Sequence, residues 1–131
     1  MMDIYRSIDI EETLRQELST YMTAYCRPLP KDFTTPCILI THTGGDSQKT
    51  VTGRGKADIF TVVLDARAET EAEADELVRN AVAVLEENDS MFVDINSLYS
   101  WGADPVRPDL AMCSATILVT AHREKVTITE V

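Results

Sequence analysis

The sequence predicts an α+β domain in which two helices pack on one face of a mostly antiparallel sheet, in the order α-β-β-α-β-β. Two segments repeat apolar residues every three or four positions, and four others are dense in β-branched and apolar residues. The order in which these patterns come is that of helices laid on an antiparallel sheet. The chain has 131 residues, of which 44% are hydrophobic and 26% charged. That is enough for one packed domain, leaves no room for a second core, and fits neither a disordered tail nor a fibre.

The first helix spans Asp9 to Tyr25, where Ile10, Leu14, Leu18, Tyr21, Met22 and Tyr25 follow one face. Asp9 with Glu12 makes an acidic capping box, and Pro28 and Pro30 forbid continuation beyond about Arg27. After a stiff linker, Pro36 to Thr41 is a strand whose Cys37-Ile38-Leu39-Ile40 run is apolar on both sides of the pleat. Residues Thr43 to Lys56 hold Gly44, Gly45, Gly53 and Gly55 and read as a long mobile hairpin loop. Asp58 to Ala68 is the returning strand of that hairpin.

Thr70 and Glu73 form a capping box, and Ala74, Leu77, Val78, Ala81, Val82 and Leu85 define a second amphipathic helix to about Asn88. Phe92 to Trp101 is a third strand of mixed phase, followed by a loop around Asp104-Pro105 and Pro108-Asp109. Leu110 to His122 is a long strand. Its Ala111, Cys113, Ala115, Ile117, Val119 and Ala121 face is the better one to carry the helices. The tail from Arg123 to Val131 keeps alternating and adds either strand length or a partner contact.

Charge and composition exclude several classes. Twelve basic and 22 acidic residues give a net charge of −10, so binding of nucleic acid by bulk charge is ruled out. No run approaches the roughly 20 apolar residues that span a bilayer. The start lacks the layout of a signal peptide, so synthesis in the cytoplasm is expected. Cys26, Cys37 and Cys113 are odd in number and spaced neither as a disulfide framework nor as a zinc site, which points to reduced thiols.

Candidate chemistry is sparse. His42 and His122 are the only histidines, and both are expected to end neighbouring strands on one side of the sheet. A nucleophilic arrangement with Cys113, or a metal site with Asp109, lacks the accompanying elbow, oxyanion loop or ligand spacing. The glycine loop lacks the Gly-Lys-Ser/Thr ending of a phosphate cradle. Glu69, Glu73 and Glu76 sit at one-turn spacing, which capping and solubility explain without calcium or acid–base work. No catalytic, cofactor or metal residue is therefore assigned. Two features suggest contact instead. Lys49, Arg54 and Lys56 put three basic residues on an acidic body, either as a solvated hairpin tip or as a dock for an acidic neighbour. Trp101, the only tryptophan, is either a core plug or an interface anchor.

The layout of Pro36 to Thr41, Gly44-Gly45, Asp58 to Ala66, Glu71 to Leu85, Asp104-Pro105 and Ala111 to Thr120 resembles the small tail terminator or tail completion proteins of long-tailed bacteriophages and prophages. The likeness covers nearly the whole chain. It implies a virion structural protein without enzymatic activity. Six copies would form a ring that stops tail-tube growth and joins the tube to the head connector, at the head-proximal end of the tail. Partners would be further copies of itself, the tube protein and the connector protein, with DNA only passing through the lumen. In such proteins the extended hairpin and the terminal segments mediate ring contacts, which would give Lys49, Arg54 and Lys56 a role. A compact chain of this size has only about 6,900 Å² of surface, so ring neighbours would cover much of it. Another head-tail junction or minor tail protein shares the same traits. From other classes, a small-ligand-binding regulatory domain and a small hydrolase using His42 or His122 are the rival expectations.

Overall fold

A computed structural model describes residues 1–48 and 57–131, with the backbone alone for residues 46–48 and 97–100. The elements in chain order are β1 (Met2–Arg6), α1 (Ile10–Ser19), β2 (Ala24–Cys26), β3 (Cys37–Gln48), β4 (Ala57–Ala68), α2 (Glu71–Glu86), β5 (Met91–Ala103), β6 (Ala111–His122) and β7 (Glu124–Ile128). Five strands make one sheet in the order β2-β3-β4-β6-β5, antiparallel except for β2, which runs parallel to β3. β1 and β7 pair with each other as a separate two-stranded ribbon. The class is α+β. The predicted order α-β-β-α-β-β is carried by α1, β3, β4, α2, β5 and β6, and three short strands are added to it.

Both helices lie on one face of the sheet. Ile10, Leu14 and Leu18 of α1 and Ala74, Val78, Ala81, Val82 and Leu85 of α2 are buried. They pack in one apolar cluster with Ile38 and Ile40, Val62 and Leu64, and Ile117 and Val119 of the central strands. Cys113, Ala115, Ile117, Val119 and Ala121 of β6 are all buried, as the alternation predicts, because residues of one parity share one face of the pleat. Small residues there let the helices approach closely. The caps also form as predicted: the Asp9 carboxylate accepts from the Glu12 N–H at 3.3 Å and the Thr70 hydroxyl from the Glu73 N–H at 3.2 Å.

Two boundaries differ from expectation. The first helix ends at Ser19 instead of near Tyr25, and Tyr21 is exposed. The chain beyond it joins the sheet, with the Ile38 N–H donating to the Thr23 carbonyl at 2.9 Å and Ala24–Cys26 running beside β3. A vacant strand edge thus outcompetes the helical periodicity. The glycine stretch is likewise not all loop: residues 43–48 continue β3 against β4 as far as Gln48, opposite Ala57. Residues 49–56, the rest of that expected loop, lie outside the described residues. A register shift between His42 and Gly44 is followed by Gly45 at φ 153°. A Cβ there would sit 1.9 Å from the Ile59 carbonyl oxygen, so glycine is what keeps the ladder closed across the bulge.

Candidate assembly surfaces

β5 is the outermost strand of the sheet, 13 residues long, with β6 on one side of it. The opposite edge of the sheet is the three-residue β2. Among the described residues β5 has no strand partner but β6, and an open strand edge presents backbone donors and acceptors to another strand. Along it, Ile95 pairs with Ile117 and Trp101 with Cys113, on the side of the sheet that carries the helices. Phe92 pairs with Thr120 on the opposite face. Met91 and Val93 at the strand's start still pack on the core. Phe92 is 63% and Trp101 51% exposed. Trp101 therefore sits at the surface and plugs no core. Lys49, Arg54 and Lys56 lie outside the described residues.

Three carboxylates that sequence reasoning did not single out tie the frame together. Asp58 is buried at the start of β4. It accepts from the Ser7 hydroxyl at 2.6 Å and from Nε and Nη2 of Arg123 at 3.0–3.2 Å. Ser7 follows β1 and Arg123 precedes β7, so one side chain holds both roots of the ribbon. Glu11 of α1 accepts from Arg27 Nε at 3.0 Å and Nη2 at 2.5 Å, and from the His42 N–H at 3.1 Å. Burial works to raise its pKa, but the Arg27 and His42 donors outweigh that and hold it below the usual glutamate value. Asp104 is fully buried, accepts from Arg67 Nε at 2.8 Å and from the Val106 N–H at 2.9 Å, and pins the 104–110 loop over Phe33, Cys37 and Leu110. Their side-chain partners in other elements lie 16 to 65 residues away in sequence, which no local pattern contains.

The histidines do not end neighbouring strands. β4 lies between β3 and β6, and His42 sits in mid-strand opposite Val62. Its Nε2 donates to the Gly44 carbonyl at 2.8 Å and its ring meets Phe60 edge-on at 5.3 Å, whereas His122 is exposed at the end of β6. Cys113 stands nine residues from His122 along β6, about 30 Å at strand rise. Burial, then the nearby Asp75, pushes its thiol pKa up, and burial does the same to Cys37 and Cys26, which keeps these free thiols protonated. Among the described residues, no three His, Cys, Asp or Glu side chains converge as a metal site requires. No described helix is long and apolar enough to cross a membrane. Glu73 is engaged in the α2 cap with Thr70. A cleft of about 740 Å³ opens at the start of β5 between Ile8, Met91, Phe92, Thr120 and His122.

What the described residues define is an α+β domain with a long outer strand, β5, that pairs with β6 alone, and a separate two-stranded ribbon. No protein-family model matches the chain, and no curated protein matches it either.

Proposed function

We propose that this chain is a virion structural subunit of the tail terminator class, which joins copies of itself into a ring at the head-proximal end of a phage tail. The phage part of the reading rests on the resemblance in layout from Pro36 to Thr120. The assembly part is supported by one observation: β5, a 13-residue strand with no strand partner but β6 among the described residues, carries exposed Phe92, Ile95 and Trp101. Monomeric proteins blunt edges with short strands, charge, proline or bulges, and although β5 shifts register against β6 at Ile95/Ser97 and Ser97/Ser100, it keeps large aromatics at the surface, the commonest anchors of interfaces. The ring, the tube and connector partners and the absence of enzymatic activity belong to this proposal.

Native mass by light scattering, with and without purified tail tubes, tests it. A species near six times 14.6 kDa, or caps of that size seen at tube ends by electron microscopy, is the expected result. A chain that stays monomeric and leaves tube ends bare and still growing overturns it.

A further inference from the structure

We infer that β5 is the docking strand for an extended, basic segment of a different protein, which adds to the sheet beside β5 and places a side chain in a cleft at each end of it. The inference rests on the assembly reading and names the kind of chain that β5 takes.

β5 pairs with β6 over residues 91–95 and again over 100–103, with register shifts between Ile95 and Ser97 and between Ser97 and Ser100. Two regular stretches therefore stand at the ends of the strand and an irregular one in its middle. The other side of β5 meets no strand among the described residues. Phe92 pairs with Thr120 and Trp101 with Cys113, seven residues apart on β6, which is about 23 Å along the strand. In strand addition the main chain supplies affinity, and pockets for individual side chains supply specificity.

A cleft opens at each regular stretch. The one at the start of β5, about 740 Å³, has Ile8, Met91 and Phe92 as apolar wall and includes Asp89. The one at the end of β5, about 450 Å³, is lined by Trp101 and Pro108 together with Glu69, Glu71 and Asp109. Phe92 and Trp101 thus each belong both to the outer strand and to a cleft. Among the described residues lining the two clefts none is lysine or arginine, and exposed Asp94 on β5 adds a further carboxylate between them. Of these five carboxylates only Asp109 is in an ion pair among the described residues, with Arg107 at 2.9 Å. A lysine or arginine fits such a cleft with its stem on the apolar wall or the indole face and its charged head at the carboxylates. A second β5 would set carboxylates against carboxylates, and the opposite edge of the sheet, β2, is only three residues long. The occupant is therefore a different, basic chain.

Trp101, the only tryptophan, reports the contact through its fluorescence. The probe is a capped peptide of about nine residues, alternating threonine and valine between two terminal lysines, long enough to reach both clefts. The expected result is a saturable shift of Trp101 emission, weakened by salt, and binding at least about tenfold weaker for the same peptide with glutamates in place of the lysines. N-methylation of alternate peptide amides removes the donors that face β5, keeps the side chains, and is expected to abolish the shift. Asp94→Lys, at an exposed site, is expected to keep the wild-type circular dichroism and to lower the affinity several-fold. Equal binding of the lysine and glutamate peptides overturns the basic partner, and equal binding of the N-methylated peptide overturns the added strand. A chain that forms rings on tail tubes yet gives no response to about 1 mM lysine peptide overturns the docking strand and leaves the proposed function standing. A chain that binds the peptide but stays monomeric and leaves tube ends bare bears out the docking strand and overturns the ring.

Discussion

The centre of the sheet and the ribbon are both antiparallel strand pairs, yet different forces hold them. In the β4/β6 pair, twelve residues on each strand are in register, and every second one is closed over by helices: Leu64 and Ile117 have no exposed surface. In the β1/β7 pair, five residues face five, and Ile4 and Val126 are only half covered. The central pair draws on burial of whole side chains, about 1.5 to 3 kcal/mol each. The ribbon draws on backbone pairing, surface ion pairs worth at most about 1 kcal/mol, and its tether to Asp58. A strand pair whose apolar face is only half covered is held in place more than it is stabilised.

The comparison breaks most directly at the centre. Leu64→Ala leaves a cavity between sheet and helices and is expected to cost about 3 kcal/mol, read as a lowered denaturation midpoint with an unchanged slope. A cost under about 1 kcal/mol would mean that the helices relax into the space. Asp58→Ala comes close behind at about 2 to 3 kcal/mol, since it strands the Ser7 hydroxyl and removes the carboxylate beneath Arg123. It is expected also to raise hydrogen exchange of the β1 and β7 amides above that of β4 and β6. Equal exchange in all four strands would refute Asp58 as the anchor of the ribbon.

Gly45→Ala is expected to cost about 2 kcal/mol, because an alanine at that φ is strained and meets the Ile59 carbonyl. Loss of amide protection confined to the distal part of β3 is the signature to look for. The pH dependence is smaller. Glu11 has a pKa below its ordinary 4.5, so its contribution is complete above that value and is lost as pH falls through the lower folded-state value. Glu11→Gln is expected to flatten the stability curve below about pH 5, where the wild type loses the contribution of the Glu11 carboxylate. A variant that tracks the wild type through this range would show that Arg27 and the His42 amide gain nothing from the charge. Smallest of all is Val126→Ala, with an expected change of under about 0.5 kcal/mol in the isolated chain, as for a surface site. A cost near that of Leu64→Ala would place the ribbon inside the cooperative core.

The second helix was legible residue by residue, since Thr70, Glu73 and the 74-77-78-81-82-85 series lie within five turns of one another. So was the covered face of β6, because alternation is local. The end of α1 was not: the tyrosines at 21 and 25 keep helical spacing, and only the vacant edge of β3 draws Ala24–Cys26 into the sheet. Gly44 and Gly45 read as a loop because glycine breaks local patterns, while here it serves the bulge of a continuing strand. Of the candidate contact residues, Trp101 was visible as a choice between core and surface, and its place on an outer strand decides for the surface. The ribbon was hidden, since β1 and β7 lie at opposite ends of the sequence and only their pairing with each other, from Met2↔Ile128 to Arg6↔Glu124, makes either one a strand.

By itself the sequence determined the α+β class, the six long elements, both helix caps, the helix-bearing face of β6 and the acidic surface. These depend on interactions within about one helical turn or one strand, where residue type and spacing carry the whole of the physics. Tertiary structure alone decided which strand lies outermost, that the two chain ends meet, and that Asp58, Glu11 and Asp104 find their cations from 16 to 65 residues away. Such pairings are chosen by the free energy of the whole packed arrangement, in which partners far apart in sequence have no local mark.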